Sequence, residues 1–100
     1  MIRWSPEKDL WLQEHRGVSF QDVAAAVLSE NLIDMIENPS RGGQQAFVVW
    51  FRKYVWVVPF VLEAGGSIFL KTAYPSRKMN ARYGGQHGAK DRPGQVRKGS

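Results

Sequence analysis

Apolar positions recur along this chain with two different periods, and the change falls near residue 30. Phe20, Val23, Ala24, Val27 and Leu28 stand at i, i+3, i+4, i+7 and i+8, the stripe of an amphipathic helix with one face toward a core. Ser19, with Asp22 three residues on, resembles a capping box and sets the start of that helix. Upstream, Ser5-Pro6 reads as an N-cap followed by proline at the first helical position, with Glu7 in the favourable first turn. This helix is expected to run to about Arg16 and to stop at Gly17, and residues 2–4 form a candidate short strand before it.

Beyond Ser29 the texture becomes strand-like. Residues 32–37 look like a strand, and residues 38–45 (NPSRGGQQ) form a polar loop containing glycine. Residues 46–51 and 54–62 favour strands and are separated only by Arg52-Lys53, which reads as a tight hairpin. A turn over 64–67 leads into a strand over 68–73, Pro75 breaks it, and a short helix is expected from about Arg77 to Arg82. The predicted fold class is α+β: an antiparallel meander of about four strands, two N-terminal helices on one face, and a short C-terminal helix. Residues 1–83 make one domain. Residues 84–100, rich in Gly, Lys, Arg and Gln, are expected to form a basic disordered tail.

One detail of the pattern bears on partners. Residues 55–62 are apolar on both strand faces, as in a strand covered on both sides. Two small helices cover only one face, so either the last helix folds over the other or a second protein does. Trp50, Trp56 and Phe60 are the candidate partner-binding residues on such a face. Pro59 is awkward inside a central strand and points to a bulge or a short pairing there.

Composition narrows the function classes. The chain of 100 residues has no cysteine, which removes disulfides and thiolate metal sites, and its two histidines, His15 and His87, have no metal-ligand spacing. No metal or cofactor is therefore expected. Early charges at Arg3, Glu7, Lys8 and Asp9 argue against a signal peptide, and the longest uncharged apolar run is too short to span a bilayer. A cytoplasmic protein with no membrane partner is the expectation. The net charge of +5 is unevenly placed: residues 1–75 hold seven Lys/Arg against eight Asp/Glu, and residues 76–100 hold seven against one. That asymmetry suggests a polyanionic partner near the C-terminal end, with a solubilising tail as the plainer alternative.

The segment 68–83 (IFLKTAYPSRKMNARY) concentrates the candidate chemistry. Ser76 stands at a helix N-cap with Arg77 and Lys78 in the first turn, where the helix dipole favours acidic residues. A local rule broken beside an anion-attracting geometry suggests phosphate binding. Lys71 on the preceding strand could reach the same pocket, and Arg82 follows Lys78 by four positions, so Arg77, Lys78 and Arg82 can share a helix face. Tyr74 and Tyr83 are candidate base-stacking platforms; for Trp50 and Trp56 core packing is the stronger alternative. His15 is a candidate for proton transfer because histidine is the side chain best suited to that role, although a polar histidine at a helix end is often solvated.

These features together resemble the BrnT-type toxin family, within the larger RelE-like ribonuclease toxin fold. Trp4-Ser5-Pro6-Glu7-Lys8 is close to that family's W-[DS]-x-x-K, and Arg16-Gly17-Val18-Ser19-Phe20 is close to its H-G-[VI]-[SD]-F. A hydrophobic hairpin and a final strand leading into a basic helix, Lys71 through Arg82, follow in the same order, so the likeness spans about residues 2–83. Two departures stand out. Arg16 occupies the position where the family commonly has histidine, and Lys71-Thr72-Ala73-Tyr74 replaces the S-x-R that ends the last strand in many members.

The resemblance implies the toxin of a type II toxin–antitoxin pair, a metal-independent endoribonuclease that stops translation. It also implies a ribbon-helix-helix antitoxin that neutralises it, and operator DNA bound only through that complex. Under this reading Lys71, Arg77, Lys78, Arg82 and His15 are the catalytic candidates, with Lys8, Tyr74, Ser76 and Tyr83 as RNA-binding residues. The alternative is a non-catalytic module that pairs with a DNA-binding partner in operon autorepression.

Overall fold

A computed structural model describes residues 1–38 and 41–90. Serines open two of its helices. The Ser5 hydroxyl accepts the Lys8 N–H at the start of α1 (Pro6–Arg16), and the Ser19 hydroxyl accepts the Asp22 N–H at the start of α2 (Phe20–Val27). Gly17 ends α1 in the left-handed conformation at φ 68°, which glycine adopts without a Cβ penalty.

Before α1 lies β1 (Ile2–Trp4). After α2 come β2 (Leu32–Glu37), β3 (Gln45–Phe51), β4 (Tyr54–Leu62), β5 (Ile68–Leu70) and β6 (Tyr74–Pro75), and the last element is α3 (Arg77–Lys90). The fold is α+β, with a mixed sheet of six strands among the described residues ordered β1-β5-β4-β3-β2, β6 pairing β4 beside β5. Two expectations are corrected here. The sheet is not a purely antiparallel meander of about four strands, because β1 joins it parallel to β5, Ile2 opposite Ile68. Short-range pattern cannot reveal a pairing between opposite ends of the sequence.

The second correction concerns the C-terminal helix, which runs to Lys90 rather than ending near Arg82, so residues 84–90 are helical. Tertiary fit outweighs the low helix propensity of glycine at this point: Gly84 is buried, and a Cβ there would stand 2.5 Å from Asn80 Oδ1. The expected disorder of residues 91–100 lies outside the described residues.

The sheet has a core on each face. On the first, Phe47, Val49, Trp56, Val58, Phe60 and Leu70 pack with Leu12, Phe20, Val23 and Val27 from α1 and α2. On the second, Ala46, Val48, Trp50, Val55 and Val57 pack with Met79 of α3, flanked by Ile33, Ile36, Tyr74 and Tyr83. Of the two ways to cover this face, the structure has the first: the chain's own last helix. Trp50 in this second core and Trp56 and Phe60 in the first, the candidate partner-binding residues, are core residues of this chain, at 8%, 7% and 2% exposure. No helix among the described residues is long and apolar enough to cross a membrane.

Candidate nucleic-acid interface

Pro59 and a bulge build one cleft together. Phe60 pairs with Leu70, but Val57 pairs with Tyr74, so the outer strand holds one residue more than β4 between those pairs. Pro59 has no N–H to give, and its carbonyl accepts the Lys71 N–H at 2.8 Å. The irregular pairing anticipated at Pro59 is therefore present. An extra residue reverses the side-chain alternation. Leu70 and Ala73 both enter the first core, while Lys71, Thr72 and Tyr74 all line the cleft beside Pro59.

The facing wall comes from the connection between β2 and β3. Asn38 donates from its backbone N–H to the Gln44 carbonyl at 2.6 Å, and the Arg41 N–H returns to the Asn38 carbonyl at 3.2 Å. The Asn38 side-chain amide also donates to Gln44 Oε1 at 3.4 Å. Asn38 is 6% exposed and is the buried polar residue of the described chain. Asn38, Arg41 and Gln44 complete a cleft of about 250 Å³. Among the described residues, its lining combines two cations, two carboxamides, a hydroxyl and a phenol, with no carboxylate and no imidazole.

A second cationic group lies on α1. Trp11 stacks on His15 with ring centroids 4.5 Å apart, and Lys8 Nζ lies 3.9 Å from the Trp11 centroid. Arg16 stands 4.8 Å from the same ring and donates to the Ala73 carbonyl at 2.7 Å, which ties the end of α1 to the bulged segment. His15 Nδ1 donates to the Trp11 carbonyl at 3.0 Å, so the imidazole is held back on its own helix.

The third group is the outer side of α3. Ser76 caps this helix by accepting the Met79 N–H at 3.1 Å, as its place in the sequence suggested. Met79, Asn80, Tyr83 and Gly84 turn toward the sheet, while Arg77, Lys78 and Arg82 are exposed on the opposite side. Asn80 Oδ1 accepts the Val55 N–H at 3.2 Å, and Tyr83 donates its hydroxyl to Asp34 Oδ2 at 3.0 Å. That hydrogen bond, with a smaller contribution from burial, raises the Tyr83 pKa above its ordinary value. Among the described residues the salt bridges are Arg3–Glu63 and Arg52–Asp22, neither of which uses a cation of the cleft or of α3.

The candidate residues thus fall into three sets. Lys71 and Tyr74 meet in the cleft, Arg77, Lys78 and Arg82 share a solvent-facing helix side, and Lys8 and His15 meet on Trp11. Among the described residues, the lining of this cleft includes Lys71 but not His15, Arg77 or Lys78. Tyr83 serves to anchor α3. Sequence reading passed over Asn38, Arg41, Gln44, Thr72, Trp11 and Arg16. The spacing of Lys8, Trp11 and His15 on one helix stripe was visible; the rest depended on the bulge. Such an interface suits phosphates and unpaired bases, with Arg and Lys for the anion and aromatic rings for stacking. The sequence matches no known protein family and no curated protein, so its likeness to BrnT-type toxins rests on short motifs.

Proposed function

We propose that this chain is a RelE-like, BrnT-type toxin: a metal-independent endoribonuclease that inhibits translation and is neutralised by a ribbon-helix-helix antitoxin. One observation carries the reading. The bulge brings Lys71, Thr72 and Tyr74 onto a single cleft opposite Arg41, beside a helix whose outer side is basic. In this reading RNA runs across that surface, and Arg77, Lys78 and Arg82 hold flanking phosphates. Lys71 and Arg41 neutralise the phosphate at the reacting centre, where developing charge on the equatorial oxygens is stabilised most. The Lys71 ammonium and the Tyr74 hydroxyl are the groups within the cleft that can move a proton.

Induced expression tests this directly. Wild type is expected to arrest growth with loss of cellular RNA, and Lys71→Ala to abolish both while remaining folded. Intact RNA and normal growth with folded wild type would overturn the reading.

A second reading, a non-catalytic module that adds basic surface to a DNA-binding partner, is favoured by a specific feature. Among the described residues, the cleft's lining holds no carboxylate or imidazole and none of Arg77, Lys78 and Arg82. It predicts intact RNA, together with a shallower salt dependence of operator binding by the complex when Arg77, Lys78 and Arg82 are neutralised.

A further inference from the structure

We infer that the cleft lined by Asn38, Arg41 and Gln44 together with Lys71, Thr72 and Tyr74 is a recognition pocket for one unpaired purine nucleotide of RNA. This rests on the RNA-directed reading above and names what its central site selects. At about 250 Å³ the cleft lies just under the range of about 300–1,000 Å³ found for pockets that enclose drug-sized molecules, which fits one nucleotide rather than a larger ligand.

The chemistry of the walls is more than an anion site needs. A bare phosphate needs only cations, and Arg41 and Lys71 both line the cleft. Tyr74 adds an aromatic ring, half-buried, packed on one side against the Met79 and Val57 core, which fixes it as a platform for a base. Gln44 adds a carboxamide, and buried Asn38 donates its own side-chain amide to Gln44 Oε1 at 3.4 Å, which orients Gln44 before any ligand arrives. A carboxamide offers a donor and an acceptor side by side. Asn and Gln match the N6/N7 edge of adenine, and Arg and Lys match the O6/N7 edge of guanine; N7 belongs to purines alone. The bulge that gathers Lys71, Thr72 and Tyr74 is thus a selectivity device as well as a structural irregularity.

Titrating the ¹⁵N-labelled full chain with AMP, GMP, CMP, UMP and inorganic phosphate, read at the backbone amides of residues 41–44 and 71–74, tests the inference. The purine monophosphates should move these resonances and bind about fivefold or more tighter than the pyrimidines or phosphate. Gln44→Ala and Lys71→Ala should each weaken purine binding about threefold or more. Arg52→Ala, which removes the same charge at the far end of the β3–β4 hairpin, should leave it unchanged. Retained dispersion of the spectrum shows that each variant is folded. Equal responses to phosphate and to all four nucleotides would reduce the cleft to an anion site and overturn the inference. Silence at the cleft while a short single-stranded RNA binds elsewhere would overturn it and leave the RNA reading standing. If neither mononucleotides nor RNA bind, both readings fall.

Discussion

The first face of the sheet carries Phe47, Val49, Trp56, Val58 and Phe60 beneath two helices, whereas the second carries Ala46, Val48, Trp50, Val55 and Val57 beneath one. Large aromatic side chains on the first face fill the space under α1 and α2, with Phe47 stacked on Phe60 at 4.1 Å between centroids. On the second face, where Trp50 is the one large aromatic among Ala46, Val48, Val55 and Val57, α3 lies near enough for Asn80 to bond the Val55 amide. A single helix leaves the Pro59 end of that face to the cleft. One face is thus committed to stability, and the other divides its area between stability and recognition.

Truncation in the core should expose this difference most strongly. Phe20→Ala on the first face is expected to cost about 3–5 kcal/mol, and Met79→Ala on the second about 2–3 kcal/mol, both read from urea midpoints. Equal losses would mean that the two faces are equivalent after all.

The contact between α3 and β4 can be dissected next. Asn80→Ala leaves the Val55 N–H without its side-chain acceptor and should cost about 1–3 kcal/mol. Gly84→Ala gains about 1 kcal/mol of helix propensity, but its methyl group displaces the Asn80 amide. The gain should therefore be lost in the wild type and recovered in the Asn80→Ala background. A thermal-unfolding double-mutant cycle reads this coupling, and additivity would show that Gly84 is not fitted to Asn80.

The smallest expected effect sits at the outer end of α3. Tyr83→Phe removes the hydrogen bond to Asp34, which solvent screens, and should cost under about 1 kcal/mol at neutral pH. Its pH dependence is more telling than its size. The folded-state pKa of Tyr83 is raised, so the stabilisation is fully present below the unfolded value near 10 and disappears as pH rises through the folded value. Wild type should lose this increment above about pH 10, and Tyr83→Phe should lack that loss, as measured by urea denaturation across the alkaline range.

Most elements were legible because their signals are local. Ser5-Pro6, Ser19, Gly17, the 3.6-residue stripe of α2 and the Arg52-Lys53 turn each act within a few residues. Three things were not. The pairing of β1 with β5 joins Ile2 to Ile68, a contact that no window along the sequence contains. The extension of α3 runs through Gly84 and Gly85, which look like helix breakers when read as composition, and at Gly84 a Cβ would have no room beside Asn80. For the candidate site, the basic and aromatic residues of 68–83 were evident, yet their distribution was not. One added residue opposite Pro59 decides which side chains share a surface, and Asn38, Arg41 and Gln44 arrive from a loop some thirty positions earlier.

The parallel pairing of β1 with β5 has a consequence for how this protein is made. Its first strand leaves the ribosome early, but the partner to which it bonds lies 66 residues later. At about 5–20 residues/s, that is a wait of about 3–13 s during which Ile2 and Trp4 have no strand beside them. Nascent chains that stop short of residue 68 should hold the β3–β4 hairpin yet leave the amino-terminal end accessible to protease, and the sheet should close only when Ile68 to Leu70 emerge. Strand β1 is synthesised well before β5 and is among the last elements to be secured.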